Sequence, residues 1–409
     1  MTACPPARVP PALPPPPAAM PLLLVPLNSF AHGGVERVAL RLARAWAADG
    51  ARVRVLVADG RGPLAAEAPV DTEILGLGTA EPARSLGLAA AVARLAARED
   101  CRLFAAGNTY ALVAMLVHLR LGAKAPPIFL KVSNDLVRAD MPPLLRWGYR
   151  RWLALQGRAF DHFIGLAAPM HGEIVAHMHV APDRVSIIDD PALTTADLAA
   201  LATLAAARRP ASAGRRYVAV GRLVAQKNFG RAIQAFAASA GADDRLVIIG
   251  DGPERPRLEA LVASLGLGDR VRLPGAGPAA PALAAADVFV LSSDYEALPA
   301  VVVEALASGL PVVATDCCVS MRALVGAFGT VVAAGDTLAL GAAMAAQPPL
   351  TAAQADAAAA AMAAFTIERA AARYLSLLGA TVVADTGREN AILTAETAPP
   401  LQIGPAPSC

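Results

Sequence analysis

Residues 288–314 read VFVLSSDYEALPAVVVEALASGLPVVA, and this pattern predicts a strand, a loop, a helix and a second strand. The apolar runs at 288–291 and 311–314 are short and rich in valine, which is typical of buried strands. Residues 301–308 between them predict a helix. A strand, a helix and a strand in this order favour a right-handed unit of a parallel sheet.

The same alternation of strand and helix extends outward through most of the chain. In the first half, strands are predicted at 22–25, 52–57, 103–106, 128–132, 162–166 and 185–188, with helices through 46 and at 86–98, 110–121 and 144–155. In the second half, further strands are predicted at 217–220, 245–249 and 271–273, with helices at 229–239, 253–265, 279–285 and 367–378. We therefore expect an α/β protein of two similar-sized, doubly wound halves.

Composition shifts along the chain place the domain boundaries. Nine of the first 21 residues are proline, so residues 1–20 are expected to be a disordered tail, with Met20 as an alternative start. We predict a first domain at 21–190, a linker at 191–214, a second domain at 215–365, a helix at 366–380 that returns to the first domain, and a disordered tail at 381–409.

The overall composition excludes several classes of protein. The net charge is only +2, which argues against a nucleic-acid partner. The five cysteines are scattered, and no histidine is spaced to complete a metal site, so reduced thiols in a cytoplasmic protein are expected. No apolar run reaches the roughly 18–20 residues of a membrane span.

The loops that follow the predicted strands of the second half carry the most chemistry. Arg222 and Lys227 follow the strand at 217–220, and a guanidinium with a mobile ammonium suits a diphosphate, although two solvated surface charges would have the same spacing. Gly250 and Gly252 follow the next strand. Without a third glycine they are a weak dinucleotide signal and are typical of a tight turn.

Two glutamates stand eight residues apart after the strand at 288–291. Glu296 lies on the loop and Glu304 within the next helix, so one carboxylate can face a ligand in the loop while the other reaches it from the helix. Carboxylates accept paired hydrogen bonds from hydroxyls, and the pair therefore suits the two polyols of a nucleotide sugar. A surface charge on the helix would also explain Glu304.

Together these motifs resemble the retaining glycosyltransferases of family 4, over nearly all of residues 21–380. The resemblance rests on residues 33–36 (GGVE), 221–228 (GRLVAQKN), 250–259 (GDGPERPRLE) and 296–313. It implies the GT-B fold, in which two Rossmann-like domains face a central cleft.

The resemblance also implies roles for individual residues. Arg222 and Lys227 would hold the donor diphosphate, Glu304 the ribose, and Glu296 the donor sugar, so that Glu296, Arg222 and Lys227 are the expected catalytic residues. It implies a reaction without a metal or cofactor, because Arg, Lys and a helix N-terminus stabilise the leaving diphosphate. The predicted donor-binding set is completed by Gly33, Gly34, Gly250, Gly252, Ala297, Leu298 and Pro299.

Two positions depart from the pattern of many relatives. Ala297 stands where glycine is common, and its Cβ narrows the space beside the donor sugar. Asn134 stands near a position where many relatives have histidine, and an amide cannot act as a general acid or base at neutral pH. His32, Asn108, Tyr110 and Asn134 are the predicted contacts to the acceptor.

Residues 144–153 combine apolar, aromatic and basic side chains at helical spacing. This pattern is typical of helices that lie on anionic membranes, and a core-packed helix with a basic outer side would show it too. The prediction is a cytoplasmic enzyme at the inner face of the membrane that uses a UDP- or GDP-sugar and a glycan or lipid-linked acceptor.

Three functions are compatible with a double α/β fold. The first is glycosyl transfer in polysaccharide or glycolipid synthesis, and the second is nucleotide-sugar binding without efficient catalysis, favoured by Ala297 and the absent histidine. The third, a nicotinamide-dependent oxidoreductase, is disfavoured because neither half contains a complete G-x-G-x-x-G.

Overall fold

The computed structural model describes residues 21–384 except 32, 79, 135, 137–140, 209–212 and 297. The predicted tail at 1–20, most of the predicted tail at 381–409, and two predicted site residues, His32 and Ala297, therefore lie outside the described residues. The described chain forms two parallel sheets with helices on both sides, which confirms the predicted α/β class.

The first domain contains a seven-stranded sheet in the order β3-β2-β1-β4-β5-β6-β7, with parallel pairs throughout. Its strands are β1 (Leu22–Ser29), β2 (Val53–Asp59), β3 (Thr72–Ile74), β4 (Cys101–Ala105), β5 (Ile128–Lys131), β6 (His162–Gly165) and β7 (Val185–Ile187). Its helices are α1 (Gly34–Ala48), α2 (Ala83–Ala96), α3 (Ala111–Leu121), α4 (Pro143–Ala159) and α5 (Pro169–Met178).

Helix α6 (Thr195–Ala206) connects this domain to a six-stranded sheet in the order β10-β9-β8-β11-β12-β13. The strands are β8 (Arg216–Val220), β9 (Arg245–Ile249), β10 (Val271–Gly275), β11 (Val288–Leu291), β12 (Val312–Thr315) and β13 (Gly329–Val332). The helices are α7 (Phe229–Ser239), α8 (Arg255–Ser264), α9 (Ala279–Ala285), α10 (Ala300–Ala307), α11 (Met321–Val325), α12 (Thr337–Ala346), α13 (Ala352–Met362) and α14 (Ile367–Ala384).

The central strands are largely apolar because helices cover both faces of each sheet. The first four residues of β1 and all four of β11 are buried. In each sheet the strand order reverses next to the first strand, between β1 and β4 and between β8 and β11. Such a reversal opens a crevice at the carboxyl edge, where ligands of open α/β sheets bind.

The segment 191–214, which the sequence predicts as a linker, contains helix α6. The helix begins with a capping box: the Thr194 hydroxyl accepts from the backbone N–H of Asp197, whose carboxylate accepts from the N–H of Thr194. Helix α6 packs against α9 and α10 of the second domain.

Helix α14 returns to the first domain and packs against α1. The indole of Trp46, which has no exposed surface, donates to the carbonyl oxygen of Ala371 at 3.2 Å and meets Phe104 and Tyr374 edge to face. The helix ends at Ala384, so residues 381–384 are helical rather than part of the predicted tail.

This aromatic contact yields a matched pair of variants. Trp46→Phe removes the indole donor and leaves unfilled volume, and we expect it to lower the free energy of unfolding by about 1–3 kcal/mol. Tyr374→Phe removes a buried hydroxyl that has no hydrogen-bond partner among the described residues, so stability should stay the same or rise. Urea unfolding of both variants tests the contact, and an equal loss in the two would contradict this account.

Candidate active site at the carboxyl edge of the second sheet

The loops after β8 and β11 lie side by side because these strands are neighbours in the sheet. The backbone N–H of Asp294 donates to the carbonyl oxygen of Gln226 at 2.9 Å, and the Gln226 side-chain amide donates to the carbonyl oxygen of Tyr295 at 2.8 Å. The Ser292 hydroxyl donates to the carbonyl oxygen of Lys227 at 3.1 Å. The two loops thus form one hydrogen-bonded surface.

An ion pair between Lys227 and Glu296 crosses this surface. The ammonium Nζ lies 2.5 Å from Glu296 Oε1, and the Ser293 hydroxyl donates to the same oxygen at 2.7 Å. The two charged side chains are 17% and 10% exposed, so water screens the pair weakly. Lysine has three N–H donors, and two of them remain for a bound anion.

Glu296 is also fixed through its backbone. Its N–H donates to the carbonyl oxygen of Cys317 after β12 at 2.9 Å, so three consecutive strand ends of the sheet converge on this residue. The sequence analysis did not single out Ser293. The signal that could have found it is its place in a pair of serines directly after an apolar strand.

Arg222 provides a second cation on the loop after β8. Its side chain is exposed, and in the described part of the chain its guanidinium has no hydrogen bond or ion pair. All its donors therefore face solvent at the edge where Lys227 lies. The loop thus carries one cation, Lys227, that is paired with a carboxylate, and a second cation, Arg222, whose side chain is exposed.

Gly250 and Gly252 allow the loop after β9 to lie directly on the loop after β8. Their φ angles are +153° and +157°, and a Cβ at Gly250 would stand 1.8 Å from the carbonyl oxygen of Gly221. A Cβ at Gly252 would stand 2.4 Å from the carbonyl oxygen of Leu223. Both glycines thus allow the loop after β9 to pack directly against the loop that carries Arg222. Their direct contact with a donor stays a prediction.

Glu304 is the fifth residue of α10 and lies where α1 and α6 approach this helix. Burial raises the pKa of Glu304 to about 7, with Asp197 adding to the increase while Arg37 and Arg41 of α1 oppose it. No side chain or backbone group of the described chain hydrogen-bonds its carboxylate. A partly buried carboxylate without a partner indicates a position where a hydrogen-bonding ligand would be stabilising.

The remaining predicted donor residues of this domain lie between the two glutamates. Leu298 is buried against the core, and Pro299 occupies the N-cap position of α10. The first N–H groups of α10 therefore lie at the carboxyl edge beside Glu296, where a helix N-terminus favours anions.

In the first domain Gly33 and Gly34 form the start of α1. Gly33 has extended backbone at the N-cap, and a Cβ there would lie 2.0 Å from Oε2 of Glu36. Oε1 of Glu36 accepts from the Tyr110 hydroxyl at 2.9 Å, and that hydroxyl accepts from the N–H of Asn28 at 3.2 Å. Gly33 leaves room for this network, whereas a Cβ at Gly34 would have no atom within 4 Å.

The prediction of Tyr110 as an acceptor contact is wrong. Its side chain has no exposed surface, and burial, with the adjacent Glu36 charge, strongly raises the pKa of its phenol. Tyr110 instead supports the start of α1 from within the core.

Asn108 and Asn134 lie at the carboxyl edge of the first sheet, after β4 and β5. The half-buried Asn108 accepts from the N–H of Ser133 at 2.8 Å through Oδ1, which ties the two loops together. Asn134 is exposed and free of hydrogen bonds within the described residues. Of the predicted acceptor residues, Asn134 is thus best placed to meet a ligand.

Comparison with known families identifies the two domains separately. The model for "Glycosyltransferase Family 4" matches residues 32–190, and the model for "Glycosyl transferases group 1" matches residues 214–347. The chain belongs to the glycosyltransferases that these two models describe, family 4 and group 1. The two matches lie on either side of α6. The second match contains Arg222, Lys227, Glu296 and Glu304.

Individual relatives agree with this membership. The GDP-mannose-dependent alpha-mannosyltransferase of Mycobacterium tuberculosis is 43% identical over 97 residues, 24% of each chain. The amylovoran biosynthesis glycosyltransferase AmsD of Erwinia amylovora is 33% identical over 103 residues, 25% of this chain and 29% of the relative. The matches thus span less than a third of these curated relatives.

Solved structures show the fold over a much greater length. The apo form of the lipopolysaccharide outer core galactosyltransferase WaaB superimposes with a TM-score of 0.66 at 15% identity, covering 88% of this chain and 99% of WaaB. In the described part of our chain, no helix has the length and apolar character needed to span a membrane.

The pKa of Glu304 predicts a stability change with pH. The folded carboxyl keeps its proton up to about pH 7, whereas the unfolded one loses it near 4.5, so this residue's contribution to stability falls as the pH rises between these values. Glu304→Gln removes this dependence, and we expect the variant to be more stable than the wild type by roughly 1–3 kcal/mol at pH 8, with little difference at pH 5.

Unfolding midpoints at the two pH values test this expectation. The matched control is Glu73→Gln, which neutralises an exposed carboxylate on β3. An equal effect of the two substitutions would show that Glu304 has no special environment.

Proposed function

We propose that this protein is a retaining glycosyltransferase that moves a sugar from a nucleotide-sugar donor to a hydroxyl of a glycan or lipid-linked acceptor. The observation that supports the proposal is the ion pair of Lys227 with Glu296 at the adjoining ends of β8 and β11. Arg222 lies on the same loop as Lys227, and Glu304, whose carboxylate has no hydrogen-bond partner among the described residues, lies on the helix after Glu296. Two cations and two carboxylates match a ligand with a diphosphate between two polyols.

The donor is proposed to lie along this crevice. The Arg222 guanidinium and the two unused donors of Lys227 would bind the diphosphate, together with the first N–H groups of α10. The Glu304 carboxylate would accept hydrogen bonds from the ribose hydroxyls, replacing the partners that it lacks in the free protein. Glu296, held by Lys227 and Ser293, would meet the donor sugar.

Sugar transfer then needs one bond to break and one to form. The bond between the anomeric carbon and the diphosphate oxygen breaks while the acceptor hydroxyl forms its bond on the same face, so the configuration is kept. The leaving phosphate oxygen takes the acceptor's proton. We propose that Arg222, Lys227 and α10 stabilise the developing charge and that no metal is required.

The substrates are proposed from the relatives. The Mycobacterium relative is named for GDP-mannose, which supports a GDP-sugar as donor, with a UDP-sugar as the alternative. The Erwinia relative is named for amylovoran biosynthesis, which supports polysaccharide synthesis as the process. We propose a cytoplasmic location, where such donors are available.

A nucleotide-sugar-binding protein with impaired catalysis is the second candidate. Asn134 favours it, because this exposed amide follows β5 at the edge that is proposed to receive the acceptor, and an amide cannot act as a general acid or base at neutral pH. Both candidates bind the donor, and only the first turns it over.

Thermal unfolding with UDP-, GDP- and ADP-sugars tests donor binding, with NAD as the negative control. A ligand at one hundred times its Kd adds about 2.7 kcal/mol to the stability of the folded state. We expect one nucleotide sugar to raise the wild-type melting temperature, and Lys227→Ala and Glu304→Gln to reduce this shift strongly.

Arg257→Ala is the matched control because Arg257 is an exposed arginine of α8 outside the crevice. Stabilisation by NAD alone, or by no nucleotide sugar, would refute the proposed donor site. Release of nucleoside diphosphate from the donor is then measured in the presence of membrane extract. Release is expected of an enzyme and not of a protein that only binds the donor.

A further inference from the structure

Helix α4 exposes an unusual face to solvent. Five residues at helical spacing form one exposed stripe on it, and two further exposed residues, Leu145 and Arg150, flank this stripe. Leu144 is 77% exposed and Trp147 is 59% exposed, which is much for large apolar side chains. The stripe consists of Leu144, Trp147, Arg151, Leu155 and Arg158.

The opposite side of α4 fixes the helix to the domain. Leu153, Gln156 and Gly157 are buried, and α4 packs against α5. A Cβ at Gly157 would stand 1.8 Å from the carbonyl oxygen of Met178, so the helix cannot rotate to hide its outer face without losing this close contact. The apolar stripe is therefore a stable feature of the folded domain.

The charge of this face has a single sign. Helix α4 contains four arginines and no Asp or Glu. Among the described residues, Arg150, Arg151 and Arg158 have no carboxylate partner, and the Arg151 guanidinium lies 5.3 Å from the centroid of the Trp147 ring. The neighbouring segment 111–124 adds the exposed Leu119, Arg120 and Lys124 and is likewise free of acidic residues.

An anionic lipid bilayer is the partner that this chemistry fits best. Apolar and aromatic side chains enter the headgroup region of a membrane, while arginines next to them meet lipid phosphates. Lipid phosphates attract basic residues near a membrane surface, and three arginines without a carboxylate partner among the described residues, together with Trp147, favour reversible binding.

The location of α4 connects this surface to the cleft. The helix follows β5, so its first turn lies at the carboxyl edge of the first sheet, the edge that also carries Asn134 and the start of α1. We infer that the outer face of α4 docks on anionic membrane and thereby holds the acceptor side of the cleft at the lipid surface. The lipid-linked acceptor in this inference rests on the proposed function, whereas the docking itself does not.

Co-sedimentation with lipid vesicles tests the docking surface. The full chain is mixed with vesicles of phosphatidylcholine alone, or with vesicles that also contain about 30% phosphatidylglycerol, at low and at high salt. We expect binding to the anionic vesicles only, weakened by salt. Leu144→Ser/Trp147→Ser and Arg150→Ser/Arg151→Ser should each reduce the binding constant about tenfold or more.

A control double variant in the second domain matches these changes. Arg257→Ser/Leu338→Ser removes an exposed arginine and an exposed leucine, and it should bind vesicles like the wild type. Circular dichroism and melting temperature verify that each variant is folded.

Three results would overturn the inference: no binding to anionic vesicles, an equal loss in the control, or a dimer in light scattering that only the Leu144→Ser/Trp147→Ser variant abolishes. The last result would assign the face to a second copy of the chain. Stabilisation by nucleotide sugar, measured on the same proteins, distinguishes the two proposals, because vesicle binding without donor binding would leave the docking surface intact and refute only the donor site.

Discussion

The candidate site depends on the adjacency of β8 and β11 in the second sheet. The order of strands in the sheet reverses between β8 and β11. The loops that follow these two neighbouring strands therefore meet at the carboxyl edge of the sheet. The ion pair between Lys227 and Glu296 forms only in this arrangement. Arg231 of α7 reinforces it by donating to the carbonyl oxygen of Ser292 and pairing with Asp294.

The elements that join the two domains set the environment of Glu304. Helix α14 holds α1 through Trp46, and α6 places Asp197 next to α10, so charges from two helices, α1 and α6, act on one carboxylate. Near the same junction, the buried ammonium of Lys131 lies 2.5 Å from Asp190. A ligand that replaces the missing partners of Glu304 would therefore be coupled to the packing between the domains.

The sequence predicted the central architecture because buried parallel strands have short, valine-rich runs that are easily distinguished from polar loops. It failed where this contrast is weak. The strand at 72–74 is short and lies at the edge of the sheet, and α12 and α13 are so rich in alanine that apolar periodicity is lost. The capping box of Thr194 and Asp197 was the available signal for α6.

The site was predictable to a similar degree. Arg222, Lys227 and Glu296 follow strand ends, so their common edge could be expected from the strand pattern, and Glu304 lies on the helix after Glu296. The burial of Tyr110 could not, because a tyrosine after a strand suits a cleft as well as a core. The lack of a hydrogen-bond partner for Glu304 among the described residues arises from contacts between helices far apart in sequence, which no local pattern contains.

A crystal structure with bound UDP or GDP tests the central claim most directly. We predict the diphosphate between Arg222, Lys227 and the start of α10, with the ribose hydroxyls on the Glu304 carboxylate. A nucleotide bound outside the crevice between β8 and β11, or within it but away from Glu304, would contradict the account.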